Sequence, residues 1–268
     1  RDAILMFALL GALCTPLLAA SGEWEQLAEG LELGRFTDDV GTIVVLRIDP
    51  ERYETVALAA SAGDGKSRTA REWGREHGLV AVINAGMYAQ DHATHTGYFH
   101  VGDHVNNGRW NQNDYRQAAC FEPRRPGLPR FVLHDLDEVP EDAFVADYEV
   151  VVQNLRLIKK PGENRWPPRP RKWSEACLGE DAAGRQLWIF SRQARSMHDL
   201  NEALLALPIA LVAAQHLEGG PEAQLWIDPA GLESVGSFES GFWESYSNHV
   251  AWAVPNVLGI RPRQAASP

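Results

Sequence analysis

Apolar residues in this chain fall into short runs separated by Gly, Pro, Asn and Asp, the punctuation of strands rather than of long amphipathic helices. Such runs predict strands at 42–48, 53–60, 79–83, 116–121, 131–133, 148–157, 175–178, 186–191, 211–217 and 224–227. The first two meet at Pro50 and Glu51 and predict an opening hairpin. A second hairpin is expected where Gly102 and Asp103 separate two extended runs, a turn with glycine first. Helical signals are fewer. One helix spans 67–77, with Ser67 or Thr69 as cap and Gly78 as stop; another runs from the Ser196 and Asp199 pair to Leu207, ended by Pro208. Many strands with two or three helices and no regular alternation predict an α+β fold: a mixed, largely antiparallel sheet with a few packed helices.

The stretch 211–227, LVAAQHLEGGPEAQLWI, breaks this pattern in an informative way, because its apolar run stops at a carboxylate, Glu218, followed by Gly219 and Gly220. Paired glycines allow a tight turn and a close backbone approach to a ligand. The stretch is either a hairpin with an acidic loop or a strand end that presents chemistry. Two other strand ends are comparable: 79–83 leads to Asn84, Ala85 and Gly86, and Glu175, Glu180 and Asp181 flank a third strand. Taken singly, such residues are ordinary solvated strand ends. If they converge, carboxylates and amides together form the inventory for glycosyl transfer.

Composition narrows the choice. A chain of 268 residues that is 45% hydrophobic can build a large core, and its net charge of -11 excludes a nucleic-acid binder. Arg1 precedes an apolar run at 3–20 that ends in small residues, the layout of a secretory signal peptide cleaved near Ser21 or Gly22. An uncleaved anchor is the alternative, and the breaks at Gly11 and Pro16 favour cleavage. The expected product is one periplasmic or secreted domain over 23–268, with no stable membrane insertion. It keeps two cysteines, Cys120 and Cys177, either a disulfide or two buried thiols. The segment 159–172 is proline-rich and basic, a surface loop or a flap whose Arg165, Arg169 or Arg171 reaches an anionic group. Histidines 92, 95, 100 and 104 match no zinc spacing and suit a polar hairpin lip, so neither metal nor cofactor is expected. Glycine-rich phosphate loops and nucleophile elbows are missing from the sequence.

INAGMY at 83–88, TGYFHVGD, the strand QNLRLI, ACLGEDAAGRQLWIF and HLEGGPEA occur in the order of motifs in the phosphodiester glycosidase family, which the chain resembles over roughly 40–227. That family includes an enzyme that removes N-acetylglucosamine from a phosphodiester to uncover mannose 6-phosphate. The resemblance implies a carbohydrate or glycosyl-phosphate substrate and hydrolysis of a sugar-1-phosphate-type linkage. Asn84 and Gly86 match an Asn-Gly-Gly-Phe-Phe signature in which Ala85, Met87 and Tyr88 are replacements; Leu217, Glu218, Gly219 and Gly220 match Leu-Asp-Gly-Gly. Glu222 stands where the family often has serine, and Glu175 stands at the arginine of an Arg-Thr-Ala-x-Gly motif. The implied roles are Glu218 as nucleophile or stabiliser of the glycosyl centre and Glu175 or Asp181 for the water proton. Asn84, Gly86, Asn106, Gln153, Arg156, Arg192, Gly219 and Gly220 would bind substrate. With Glu175 in place of a cation, the phosphate would fall to Arg156, Lys172, Arg192 or the flap. A non-catalytic module binding phosphorylated glycan and a hydrolase of uncharged glycans are the alternatives.

Overall fold

The computed structural model describes residues 21–264, so the apolar run at 3–20 lies outside the described residues. The chain forms β1 (Ser21–Ala28), β2 (Leu31–Thr37), β3 (Thr42–Ile48), β4 (Tyr53–Ala59), α1 (Ala70–His77), β5 (Ala81–Asn84), β6 (Phe99–Val101), β7 (His104–Asn107) and β8 (Gln117–Pro123). It continues through β9 (Phe131–Asp135), β10 (Tyr148–Asn154), β11 (Arg156–Lys159), β12 (Glu163–Asn164), β13 (Trp173–Asp181) and β14 (Gln186–Arg195). Last come α2 (Met197–Ala206), β15 (Leu211–Gly219), β16 (Gln224–Ile227), β17 (Leu232–Val235) and β18 (Asn256–Pro262).

These strands build three sheets: β1-β2-β3-β14-β13-β15-β11-β12, β7-β6-β10-β8-β9, and β17-β16-β5-β18-β4. Pairings between neighbouring strands are antiparallel throughout, as in β13 with β14 and with β15. The α+β expectation therefore holds, with antiparallel pairing in place of a mixed sheet.

All three sheets send side chains into one core, where Leu46, Trp188 and Leu217 meet Phe99, Phe121 and Val152 of the second sheet and Ile83, Leu225 and Leu258 of the third. Outside the large sheet a second cluster packs Ile189, Cys177 and Leu211 against Met197, Leu200 and Leu204 of α2. Strand β14 shows why its sequence reads as a continuous apolar run: Trp188 and Phe190 face the central core while Leu187 and Ile189 face α2.

Local signals act as expected. Thr69 and Glu72 form a reciprocal capping box at the start of α1, and Gly78 closes the helix in the left-handed conformation. Ser196 caps α2, accepting from the Asp199 N–H at 3.2 Å. Gly102 turns the β6–β7 hairpin with φ 55.

Partnering is where the sequence reading needs correction. Strands β3 and β4 form no hairpin: β3 lies between β2 and β14, and β4 pairs with β18. The run 148–157 is two strands in two sheets, parted at Leu155, whose carbonyl accepts the His216 N–H at 3.0 Å. The 211–227 stretch is likewise no hairpin, since β15 and β16 belong to different sheets. Alternation of apolar residues says that a segment is extended and leaves its neighbour to be chosen by burial from distant parts of the chain. Strands β1, β2, β12, β17 and β18 lie outside the runs read from the sequence, β12 within the segment 159–172 expected to be a loop. Cys120 and Cys177 are both free and buried.

Candidate active site

The site is set by an irregularity in β15. Cys177 of β13 faces His216, whereas the adjacent Ala176 faces Glu218, so Leu217 is an extra residue in a bulge. Residues two apart on a regular strand share a face, and here the bulge separates them. His216 turns to the α2 side with Cys177, and Glu218 turns with Ala176 toward the space between the sheets.

Glu218 is 7% exposed, and its Oε1 accepts the Gly219 N–H at 3.0 Å. Burial, then the neighbouring Glu222, and further off Glu175 and Glu239, hold its carboxyl well above the usual carboxylate range. Beyond Glu218, Gly220 takes φ 66 and opens a one-turn 3-10 segment, Gly220–Glu222. This segment brings Glu222 over the same space, where it accepts the Tyr88 hydroxyl at 3.2 Å. Burial raises the Glu222 pKa, with Glu239 adding to it, and burial followed by Glu222 and Glu218 raises that of Tyr88. Tyr115 lies near enough for Glu218 to add to the upward push that burial exerts on its hydroxyl, which donates to Thr96 Oγ1 at 2.8 Å.

Glu239 arrives from the loop after β17. A Cβ on Gly220 would lie 2.9 Å from its Oε2, so the glycine makes room for this carboxylate. Arg171 of the basic 159–172 segment reaches the same group, Nη2 to Oε1 at 3.4 Å.

Glu175 pairs with Gly219 across the sheet and points to the α2 side, away from Glu218. There it accepts from Trp173 Nε1 at 2.7 Å and shares a hydrogen with His216 Nδ1 at 2.7 Å. Burial raises its pKa, opposed by His216. The Trp173 ring covers this pair and lies against Gly219, where a Cβ would sit 2.6 Å from Cδ1.

Several residues with expected substrate-binding roles hold the scaffold instead. Asn84 accepts the Gln224 N–H at 2.7 Å and donates to the Glu222 carbonyl at 3.0 Å, thereby fixing the corner that carries Glu222. Gln153 accepts from the Tyr98 and Asn111 N–H groups and donates to the Asn111 and Tyr115 carbonyls, which satisfies its amide. Asn106 accepts the His95 N–H at 2.7 Å and donates to Ser61 and Ala93. Gly86, at φ 151, lies so close to His95 that a Cβ would stand 2.2 Å from Nε2.

The cations proposed for phosphate differ in the same way. Arg156 is held by Asp135 and Asp137, and Arg192 donates to the carbonyls of Val235, Tyr246 and Asn248. Asp181 stands at the far end of β13, six positions from Glu175, where it accepts from Arg185. At about 3.3 Å per residue it is roughly 20 Å from the Glu218 end. The structure thus gathers Glu218, Gly219, Gly220 and Glu222, with Asn84 behind them and Glu175 across the sheet. Sequence reasoning missed Tyr115, His216 and Glu239: Glu239 sits in an irregular loop, and a His–Glu pair formed across strands leaves no spacing signature. Among the described residues no three of His, Cys, Asp and Glu are grouped so as to hold a metal ion.

A buried carboxyl with a raised pKa beside further carboxylates is an arrangement that glycoside hydrolysis uses. The chain belongs to the phosphodiester glycosidase family, whose profile matches residues 77–261. Solved structures that share the fold include the following two. The catalytic domain of zebrafish N-acetylglucosamine-1-phosphodiester alpha-N-acetylglucosaminidase, auto-inhibited by its pro-peptide, superposes with a TM-score of 0.60 at 11% identity, over 94% of this chain and 86% of that one. A hypothetical protein from Synechocystis gives 0.58 at 13% identity, over 92% and 64%. No curated protein matches by sequence.

Proposed function

We propose that this protein hydrolyses a glycosyl phosphodiester in the cell envelope or outside the cell, with Glu218 as the proton donor. The observation that carries this reading is the bulge at Leu217, which turns a carboxyl with a raised pKa to the side of Ala176, near Glu222, Glu239 and Tyr88. Glu218 donates its proton to the bridging oxygen as the bond from the anomeric carbon to that oxygen breaks, and a phosphate monoester departs. The second pKa of such a monoester is about 6, so its departure needs less protonation than that of an alkoxide. Glu222 or Glu239 faces the cationic glycosyl centre and takes a proton from the attacking water. Arg171, already beside Glu239, is the cation for the phosphate. The apolar 3–20 run supports the location.

A second reading, an uncharged glycan substrate, draws on the excess of carboxylates over cations at this site and on Glu175 standing at the family's arginine position. The two separate on paired substrates, an N-acetylglucosamine phosphodiester and an aryl N-acetylglucosaminide. The first reading expects faster cleavage of the phosphodiester, a loss of kcat of about 100-fold in Glu218→Gln, the low end for proton transfer because a phosphate needs little protonation to leave, and a raised KM in Arg171→Gln. Faster cleavage of the aryl glycoside, indifferent to Arg171→Gln, would establish the second. Saturable binding without release of sugar by the wild-type protein would leave a binding module.

A further inference from the structure

Large apolar side chains exposed to solvent are few among the described residues, and most of them lie in one loop: Phe242 (60%), Trp243 (36%), Tyr246 (48%) and Val250 (71%). Single exposed hydrophobes need no explanation, but a cluster of aromatic rings in one loop does. Half-buried Trp252 organises the cluster, its ring meeting Trp243 at 5.9 Å and 87° and Phe242 at 6.4 Å and 77°. These edge-to-face contacts hold the rings in place and leave outer faces free.

The loop is tied to the carboxylates at both ends. Glu239 and Trp243 exchange two backbone hydrogen bonds at 2.9 Å, so the carboxylate above Gly220 and the Trp243 ring belong to one tight turn. At the other end, the Gln224 side-chain amide donates both to the Trp252 carbonyl at 2.6 Å and to the Glu222 carbonyl at 3.3 Å. The basic segment is fastened to the same turn, Ser240 N–H to the Lys172 carbonyl at 2.9 Å and Lys172 N–H to Ser240 Oγ at 3.1 Å. The loop that bears the rings is therefore bonded to both turns that carry the carboxylates Glu239 and Glu222.

We propose that Phe242, Trp243 and Trp252 form a second sugar subsite that stacks a pyranose ring of the substrate, so that the substrate is a glycan of at least two rings. The inference rests on the reading that the carboxylate site takes a sugar, and it adds the class of molecule to which that sugar is attached. A pyranose presents a flat face of C–H groups to an aromatic ring while its hydroxyls remain free for polar partners, and Glu222 and Glu239 lie on turns bonded to this loop. An anionic bilayer is a poor occupant for this loop, which carries Glu239 and Glu244 in a chain of net charge -11.

The test is binding to the full Glu218→Gln protein, which needs no turnover. Titration calorimetry with the monomer, dimer and tetramer of β-1,4-linked N-acetylglucosamine, and with the corresponding mannose series, reads the dependence of affinity on glycan length. In at least one series the tetramer should bind about tenfold tighter than the monomer, the ratio expected when one further ring is stacked. Adding Phe242→Ala and Trp243→Ala should bring that ratio within about twofold, and Trp243→Phe should restore most of it. Circular dichroism checks that the variants are folded. Equal affinity for monomer and tetramer in both series, or an unchanged ratio in the double variant, overturns the subsite. Loss in the double variant of sedimentation with phosphatidylglycerol vesicles, without any length dependence, would make the loop a membrane face and also overturn it. Cleavage of a single-ring N-acetylglucosamine phosphodiester by the wild-type protein decides the catalytic reading separately, so either can fail alone.

Discussion

Glu218 shows how far one residue's chemistry depends on one backbone irregularity. Without the extra residue at Leu217, it would share the α2 face with His216, beneath Trp173. With it, the carboxyl is buried near Glu222 and keeps its proton above the usual pKa. Folded protein then holds that proton to higher pH than unfolded chain does, and stability falls as pH rises from about 4.3 toward the raised folded value. Glu218→Gln keeps the acceptor for the Gly219 N–H and removes the titration. Its melting temperature should equal that of the wild type near pH 4 and exceed it increasingly as pH rises toward the raised folded value. Parallel melting curves at all pH values would mean that Glu218 ionises freely in the folded protein.

Single elements show where intrinsic preference and packing part company. Helix α1 carries Gly74 in its interior, where alanine would ordinarily gain up to about 1 kcal/mol. In the folded protein a Cβ at this position would lie 2.1 Å from Cζ3 of Trp226, whose ring fills the space between α1 and the third sheet. Overpacking of this kind costs roughly 1–3 kcal/mol. Gly74→Ala should therefore lower the melting temperature, and a rise would show that α1 can tilt without loss. The caps of the same helix were legible in the sequence because Thr69, Glu72 and Gly78 act within one turn of chain. Gly74 was not, because the side chain that requires it lies in β16, far along the sequence.

At the scale of the molecule, the central core separates the two cysteines. Cys120 sits on the outer face of the second sheet, β7-β6-β10-β8-β9, with Phe144 and Tyr148, and Cys177 on the outer face of the large sheet with Ile189 and Leu200. Packed sheets lie about 10 Å apart, and a disulfide needs Cα atoms within about 7 Å. Reductant should leave the melting temperature unchanged, whereas a fall would require a Cys120–Cys177 bond. The same arrangement explains why candidate residues scattered: Glu218 and Asp181 both end apolar strand runs, yet they mark opposite ends of the large sheet. A strand has two ends and two faces, and its own sequence does not say which of them meets a cleft.

What the sequence determined by itself is what acts over a few residues: extended runs, the caps of both helices, the Gly102 turn, and a carboxylate at the end of β15 beside paired glycines. Motif order carried the family as well. Tertiary structure alone decided which strands pair, that Leu217 is bulged, that Asn84, Asn106 and Gln153 serve the backbone, and that Glu239 joins Glu218 and Glu222. The physical reason is range. Caps and turns satisfy hydrogen bonds within the local chain. Strand partners, bulges and shared carboxylate burial are settled only when distant segments compete for the same buried surface.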